Sequence, residues 1–254
     1  MIAWLRERRF RPAWPATVVT LFGVVLFARL GMWQLHRAEE KQALLAQYAT
    51  GQHSTVDLTP VSAPTLPRYQ QVRVRGHYDP AHQVLLDNMP WQNGRPGYRV
   101  VTPLALEQGG WVLVDRGWVP IGATRADIPD TAVSADAREL TGRFTTMPRA
   151  GISLGTGDTG AADAWPKVLT FPQHDTLERV LGRRLVDGLV LLDPDQPDGY
   201  QRAWQQQVQT TFGPSRHIAY AVQWFAFAAA AVVIYVVVSL VPERPGTNQE
   251  TNPK

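Results

Sequence analysis

The chain contains no cysteine. That absence removes a disulfide framework, a thiolate zinc, copper or iron–sulfur site, covalent c-type haem attachment and a cysteine nucleophile. It leaves the compartment open, because a disulfide-free protein survives in any redox environment. Hydrolase signatures carry no support either: there is no His-Glu-x-x-His among the 254 residues, and the one Gly-x-Ser-x-Gly string, Gly151-Ile152-Ser153-Leu154-Gly155, falls in a glycine-rich stretch where no long helix opens. The six histidines are at 36, 53, 77, 82, 174 and 217. His77 and His82 flank a turn, and no carboxylate cluster completes a metal site with them. Asp79, Asp87, Asp115 and Asp193 are scattered at turns and strand ends, where such residues satisfy backbone N–H groups. No active site is visible, and a non-enzyme is expected.

A basic stripe for nucleic acid is also lacking, although the net charge is +3. Five arginines (Arg6, Arg8, Arg9, Arg11, Arg29) stand against Glu7 in residues 1–30, whereas residues 31–216 hold 18 basic and 19 acidic side chains. The excess is an N-terminal cap on a neutral protein, which is how a membrane topology signal looks. Nucleic-acid binding is therefore not expected.

Two long apolar runs are present. Ile218–Val241 is 24 residues without a charge, about 36 Å as a helix and enough to cross a hydrocarbon core of about 30 Å. Tyr220, Gln223 and Trp224 stand at its start, Trp224 as an interfacial anchor. The first run, Ala13–Ala28, follows the basic RERRFR. A cleaved signal peptide is its rival, but no Ala-x-Ala site follows and the helical pattern continues through Trp33, Leu35, Leu44 and Leu45. An uncleaved anchor is expected, with Arg29 snorkelling at its far end.

The expected layout is a basic cytoplasmic N-terminus over 1–12, a transmembrane helix over 13–30, a periplasmic domain over 31–216, a second transmembrane helix over 217–241 and a disordered cytoplasmic tail over 242–254. Residues 33–50 read as a charged helical extension of the first span. Residues 54–68, with Pro60, Pro64 and Pro67, read as an extended linker.

Beyond the linker the period changes to two. Strands are expected at 71–78, 82–88, 98–106, 111–119, 138–146, 185–192 and 204–211, with turns at Asp79-Pro80-Ala81, Asn93–Gly97 and Gln108-Gly109-Gly110. A short helix is expected at 175–181, and the glycine-rich 151–163 reads as a surface loop. The fold class is therefore membrane-anchored α+β: two transmembrane helices flanking a mainly antiparallel β barrel or sandwich.

Two clusters are less ordinary. In Val114–Pro120 a charged pair and Gly117 interrupt an apolar strand. This is either a bulge with an Asp115–Arg116 bridge, or an arginine and a tryptophan presented to a planar or anionic ligand or a partner. The other is Arg216-His217 before the second span, where His217, Tyr220 and Trp224 are spaced i, i+3, i+7. His217 is either an interfacial histidine packed under the domain or an axial ligand for a membrane-soluble haem. The haem reading takes Tyr220 and Trp224 as apolar walls and Arg216, with Arg29 or Arg37, as charge for the propionates. His36 is the competing ligand.

These clusters, in this order, resemble the Surfeit locus protein 1 family. The matching residues are Gly31, Trp33, Gln34, Leu35, Arg37 and Lys41; then Gly76, Asn88, Pro96-Gly97-Tyr98 and Thr102-Pro103-Leu104; then Leu113–Pro120 with Arg116-Gly117-Trp118; and last His217, Tyr220, Ala221, Gln223, Trp224 and Phe225. Met89 departs from the pattern, since members often carry arginine there, and 151–163 shows no family pattern. The resemblance implies a non-enzymatic assembly factor, or chaperone, for haem–copper cytochrome c oxidase of the respiratory chain. It would sit in the bacterial inner membrane, assisting haem a insertion into subunit I, or its stabilisation, beside other assembly factors. The rivals are a membrane-anchored periplasmic ligand-binding or sensor module and an enzyme with an unrecognised site.

Overall fold

The computed structural model describes residues 8–51, 54–91, 94–124, 127–148, 164–204 and 213–242. The chain divides into two compact units, residues 1–43 with 210–254, and residues 44–209.

The first unit is a helical hairpin. Helix α1 runs unbroken over Trp14–Thr50, its residues up to Ala43 belonging to this unit. Its partner, α3, covers Pro214–Ser239 (α2 lies in the other unit). The second helix begins ahead of the apolar run because Pro214 occupies its first turn, where the fixed φ suits a helix and the missing N–H costs nothing.

The two helices are antiparallel, as successive rungs show. Thr17 Oγ1 lies 2.7 Å from Tyr235 Oη, the Phe27 and Trp224 rings stack at 5.8 Å, and Gln34 meets His217. Beyond the helices, strand β1 (Arg8–Phe10) pairs antiparallel with β10 (Leu240–Pro242), and the Arg11 N–H donates to the Ser239 carbonyl at 2.8 Å. Pro242, expected as the first residue of the tail, thus belongs to a strand. The remainder of that expected tail lies outside the described residues.

Only 6% of each helix's apolar window is buried within the molecule. Val18, Val19, Phe22, Val25, Val222, Val233 and Val238 all face outwards. A core helix of a soluble protein would bury such a surface, so the two faces point to membrane association.

The second unit is built on eight strands: β2 (Val56–Asp57), β3 (Gln71–Tyr78), β4 (Val84–Leu86), β5 (Gly97–Leu106), β6 (Trp111–Pro120), β7 (Ala137–Thr145), β8 (Lys167–Leu169) and β9 (Leu185–Leu192). Their spatial order is β2-β3-β7-β9-β6-β5-β4-β8. The expected antiparallel barrel or sandwich is corrected here: β2–β3, β4–β8 and β6–β9 are parallel pairs, so the sheet is mixed. Gly76–Tyr78 of β3 also pairs with Leu104–Leu106 of β5, which curls the sheet back on itself at one end without closing it along its length. The parallel pairs arise because the connections are long. From β6 the chain returns to β9 through β7, β8 and helix α2 (His174–Leu181), and only such a crossover allows a parallel neighbour.

The period-two reading of β3 holds residue by residue: Val72, Val74, Gly76 and Tyr78 are buried, while Arg73, Arg75 and His77 alternate outwards. Arg73 and Arg75 lie 3.2 and 2.7 Å from Glu139 on β7. Strands β5 and β6 are buried on both faces, which is why their hydrophobic pattern is nearly continuous. One face meets a cluster around Val74, Leu104, Val114, Phe144 and Val190. The other meets Tyr48, Val101, Leu113, Leu177, Leu189 and Trp204. The short strands β2 and β8 fell within stretches read as linker or left unassigned. The strand expected at 204–211 and the 151–163 loop lie outside the described residues, apart from Trp204, whose indole N–H donates to the Leu192 carbonyl at 2.7 Å.

Candidate functional site

The Val114–Pro120 segment is a β-bulge. The β5–β6 register slips between Val100 and Val101, where Val100 pairs with Gly117 and Val101 with Asp115, so Arg116 has no partner position; Gly117 takes φ +115°. The expected Asp115–Arg116 bridge is corrected. Adjacent strand residues point to opposite faces, and Asp115 instead pairs with Arg99 of β5. Burial pushes the Asp115 carboxyl up, against the pull of the Arg99 guanidinium and the Gly117 N–H.

Arg116 is 2% exposed and, among the described residues, bonds no carboxylate. Its Nε donates to the Asp198 carbonyl at 2.7 Å. Its Nη1 donates to Gln83 Oε1 and the Thr131 carbonyl, both at 3.0 Å, and its Nη2 to the Ala132 carbonyl at 3.3 Å. The Tyr78 and Tyr200 rings lie 5.7 and 5.1 Å from the guanidinium carbon. Trp118 is equally enclosed, its indole N–H on the Met89 carbonyl at 2.9 Å and its ring against Trp91. Neither side chain is presented to a ligand; together they tie the sheet to its loops.

Two histidines of the sheet unit, His77 and His82, are locally engaged. His77 Nδ1 lies 3.2 Å from the Ala135 carbonyl, and His82 Nδ1 lies 2.8 Å from Asp79, whose carboxylate also meets Arg183. The hydrogen bonds from Arg183 and His82 hold the Asp79 carboxyl below its ordinary value, although burial alone would raise it. Among the described residues no group of three or more His, Asp or Glu could hold a metal ion.

The hairpin carries the other cluster. In α1, Gly31 and Gln34 face α3 and Ala38 follows on the same stripe at i, i+3, i+7, with Gly31 and Ala38 buried. In α3, His217, Ala221 and Trp224 form the matching stripe. His217 Nδ1 sits 2.7 Å from Gln34 Oε1. Trp224 is half-buried and stacks on Phe27, with Phe227 edge-on at 5.8 Å. A Cβ added at Gly31 would fall 2.7 Å from the Phe225 ring, so a larger residue there would push the ring aside.

The remaining expected site residues lie on other faces. Tyr220 is 46% exposed, and Arg216 and Arg29 are exposed. Arg37 donates to Glu40 at 2.7 Å and lies over Trp33 at 5.7 Å. His36 is exposed beside Glu39 and Glu40, at 3.8 and 3.4 Å. The residue that sequence reasoning left without a role is Gln34. The spacing of Gly31, Gln34 and Ala38 was the signal that could have found it.

A sequence profile of the SURF1 family matches residues 21–229, a span that takes in most of both hairpin helices and the whole eight-stranded sheet. A SURF1-like protein of Rickettsia bellii is 27% identical over 221 residues, covering 86% of this chain and 88% of its own. Another, from Rickettsia felis, is 26% identical over 224 residues, covering 87% and 95%. An uncharacterized SURF1-like protein of Mycobacterium tuberculosis is 25% identical over 233 residues, covering 88% and 82%. The chain belongs to the SURF1 family.

Proposed function

We propose that this protein is a non-enzymatic assembly factor for haem–copper cytochrome c oxidase, assisting haem a insertion into subunit I or stabilising the haem there, in company with other assembly factors. Membership of the SURF1 family supports the oxidase role. The observation that carries the haem part is His217, which heads an apolar helix and is held at Nδ1 by a neutral amide. A haem bound at a membrane surface takes a neutral imidazole on its iron, apolar rings along its plane and cations near its propionates. The residue types match that donor set, with His217 and Trp224 on one stripe of the helix and Tyr220, Arg216, Arg29 and Arg37 on other faces. His217 would ligate the haem iron, Tyr220 and Trp224 would supply apolar walls, and Arg216, with Arg29 or Arg37, the charge. Arg37 would do so while already paired with Glu40.

The protein is read as a multi-pass inner-membrane protein with residues 31–216 periplasmic and both termini cytoplasmic. The arginine cluster before the first span and the β1–β10 pairing, which joins the two outer ends of the hairpin, support this. A periplasm-active reporter fused near residue 130 is expected to be active and a cytoplasm-active one silent; the reverse pattern would overturn the orientation.

The function itself is tested by deleting the gene and measuring haem a absorbance and oxidase activity in isolated membranes. Both are expected to fall several-fold and to return with the wild-type gene but not with His217→Ala. Unchanged values after deletion would remove the assembly role. Full rescue by His217→Ala would remove the ligand assignment and leave the oxidase role standing.

A further inference from the structure

We propose that Gln34 is the positioning residue for His217: its amide oxygen holds the imidazole as the Nδ1–H tautomer and so leaves the ligating lone pair on Nε2. The bearing on haem rests on the reading of His217 given above; the tautomer does not.

The argument starts from hydrogen-bond chemistry. Gln34 Oε1 lies 2.7 Å from His217 Nδ1, at the short end of N–H···O distances. An amide oxygen only accepts, so with Oε1 facing the ring Nδ1 is the donor, and a neutral imidazole then carries its lone pair on Nε2. The two residues are 183 positions apart and come from different helices. The ring is therefore held from across the hairpin.

The packing around this rung keeps the pair in place. Gly31, one turn before Gln34, lets the Phe225 ring come against the α1 backbone. Ala38, one turn after it, is 4% exposed, and Ala221, one turn after His217, is 1% exposed. Small side chains thus flank the rung, and the Phe27–Trp224 stack lies beyond it towards the apolar stretches. The pair is only part-buried, and each group left unpaired there would carry a share of the desolvation cost of a buried polar group.

The choice of an amide has a chemical consequence. Metal-bound histidines usually donate the second ring N–H to a carboxylate, a carbonyl or water, and a carboxylate draws on that proton hardest. The nearby carboxylates of α1, Glu39 and Glu40, lie beside His36 and Arg37 instead. A neutral acceptor fixes the tautomer without pushing the ring towards imidazolate, which suits a ligand that must later release its cargo.

Two measurements on the detergent-solubilised full chain test this. The first needs no haem: nitrogen-15 NMR of histidine-labelled protein, with the His217 signals identified by their loss in His217→Ala. The wild type is expected to show the Nδ1–H pattern, and Gln34→Leu to lose it; an Nε2–H pattern in the wild type would overturn the proposal.

The second is titration with haem a, read by the Soret band and by the iron–histidine stretch of the ferrous complex in resonance Raman. Gln34→Leu is expected to weaken binding about 10- to 100-fold and to lower the stretching frequency. Gln34→Glu is expected to restore the affinity and raise the frequency above wild type, a shift that a merely structural role would not produce. If His217→Ala abolishes binding while Gln34→Leu matches wild type in affinity and frequency, the positioning role is wrong and the haem ligand stands. If His217→Ala binds as wild type does, the haem-ligand reading and the haem part of this proposal fall together, and the NMR result alone decides the tautomer.

Discussion

Replacing Arg116 by methionine is expected to destabilise the protein by about 3–5 kcal/mol, because several enclosed acceptors lose their donor at once. Methionine keeps much of the apolar volume, so the loss isolates the guanidinium. The acceptors it would abandon sit on separate pieces of chain: Gln83 before β4, Thr131 and Ala132 between β6 and β7, and Asp198 after β9. Each buried oxygen left without its donor carries a desolvation cost of about 1–3 kcal/mol. Asp198 offers Arg116 only its backbone carbonyl, because its carboxylate is 3.2 Å from Arg138. Arg116→Lys should rescue little, since a single ammonium cannot reach the same set of acceptors. The check is denaturant unfolding of the solubilised chain, followed by near-ultraviolet circular dichroism. A loss below about 1 kcal/mol would show that the loops are organised without the guanidinium.

Gly76→Ala is expected to be of similar severity, at about 3 kcal/mol or more, because the added carbon has nowhere to go. A Cβ at Gly76 would fall 2.0 Å from the Ala105 carbonyl oxygen and 2.9 Å from its carbon. These are backbone atoms, which cannot swing aside as a flexible side chain would. Position 76 is where β3 pairs with β7 and also crosses onto β5, opposite Arg138 and Leu106. Relief would require opening the β3–β5 pairing. Limited proteolysis and membrane yield should both register the loss, whereas His77→Ala at the neighbouring exposed position should stay within about 0.5 kcal/mol of wild type. Wild-type protease resistance in Gly76→Ala would mean that the two strands can separate at this corner without cost.

Much of this architecture follows from local pattern. Charge-free stretches long enough for a membrane, a period of two in β3 and paired glycines at Gly109-Gly110 with φ of +86° and +80° are properties of neighbouring residues. Reading them needs no knowledge of what lies across the fold. The bulge at Arg116 was legible for the same reason, since a charged pair and a glycine cannot continue an apolar ladder unchanged.

What the pattern could not supply was the identity of the neighbour. Alternation along β9 says which side chains are buried, yet β9 runs parallel to β6 and antiparallel to β7. That choice depends on where a long crossover returns the chain. The partner of Asp115 is Arg99 because the two strands bring those positions together, although Arg116 is closer in sequence. The site at the hairpin divides in the same way. His217 stood out in the sequence by its place between an arginine and an aromatic stripe. Gln34, a plain polar residue in a charged helix, acquires its role only when antiparallel packing sets it against an imidazole 183 positions away. Sequence periodicity determines which face of an element is covered; the register between elements distant in the chain, set by close packing at residues such as Gly31 and Gly76, determines by what.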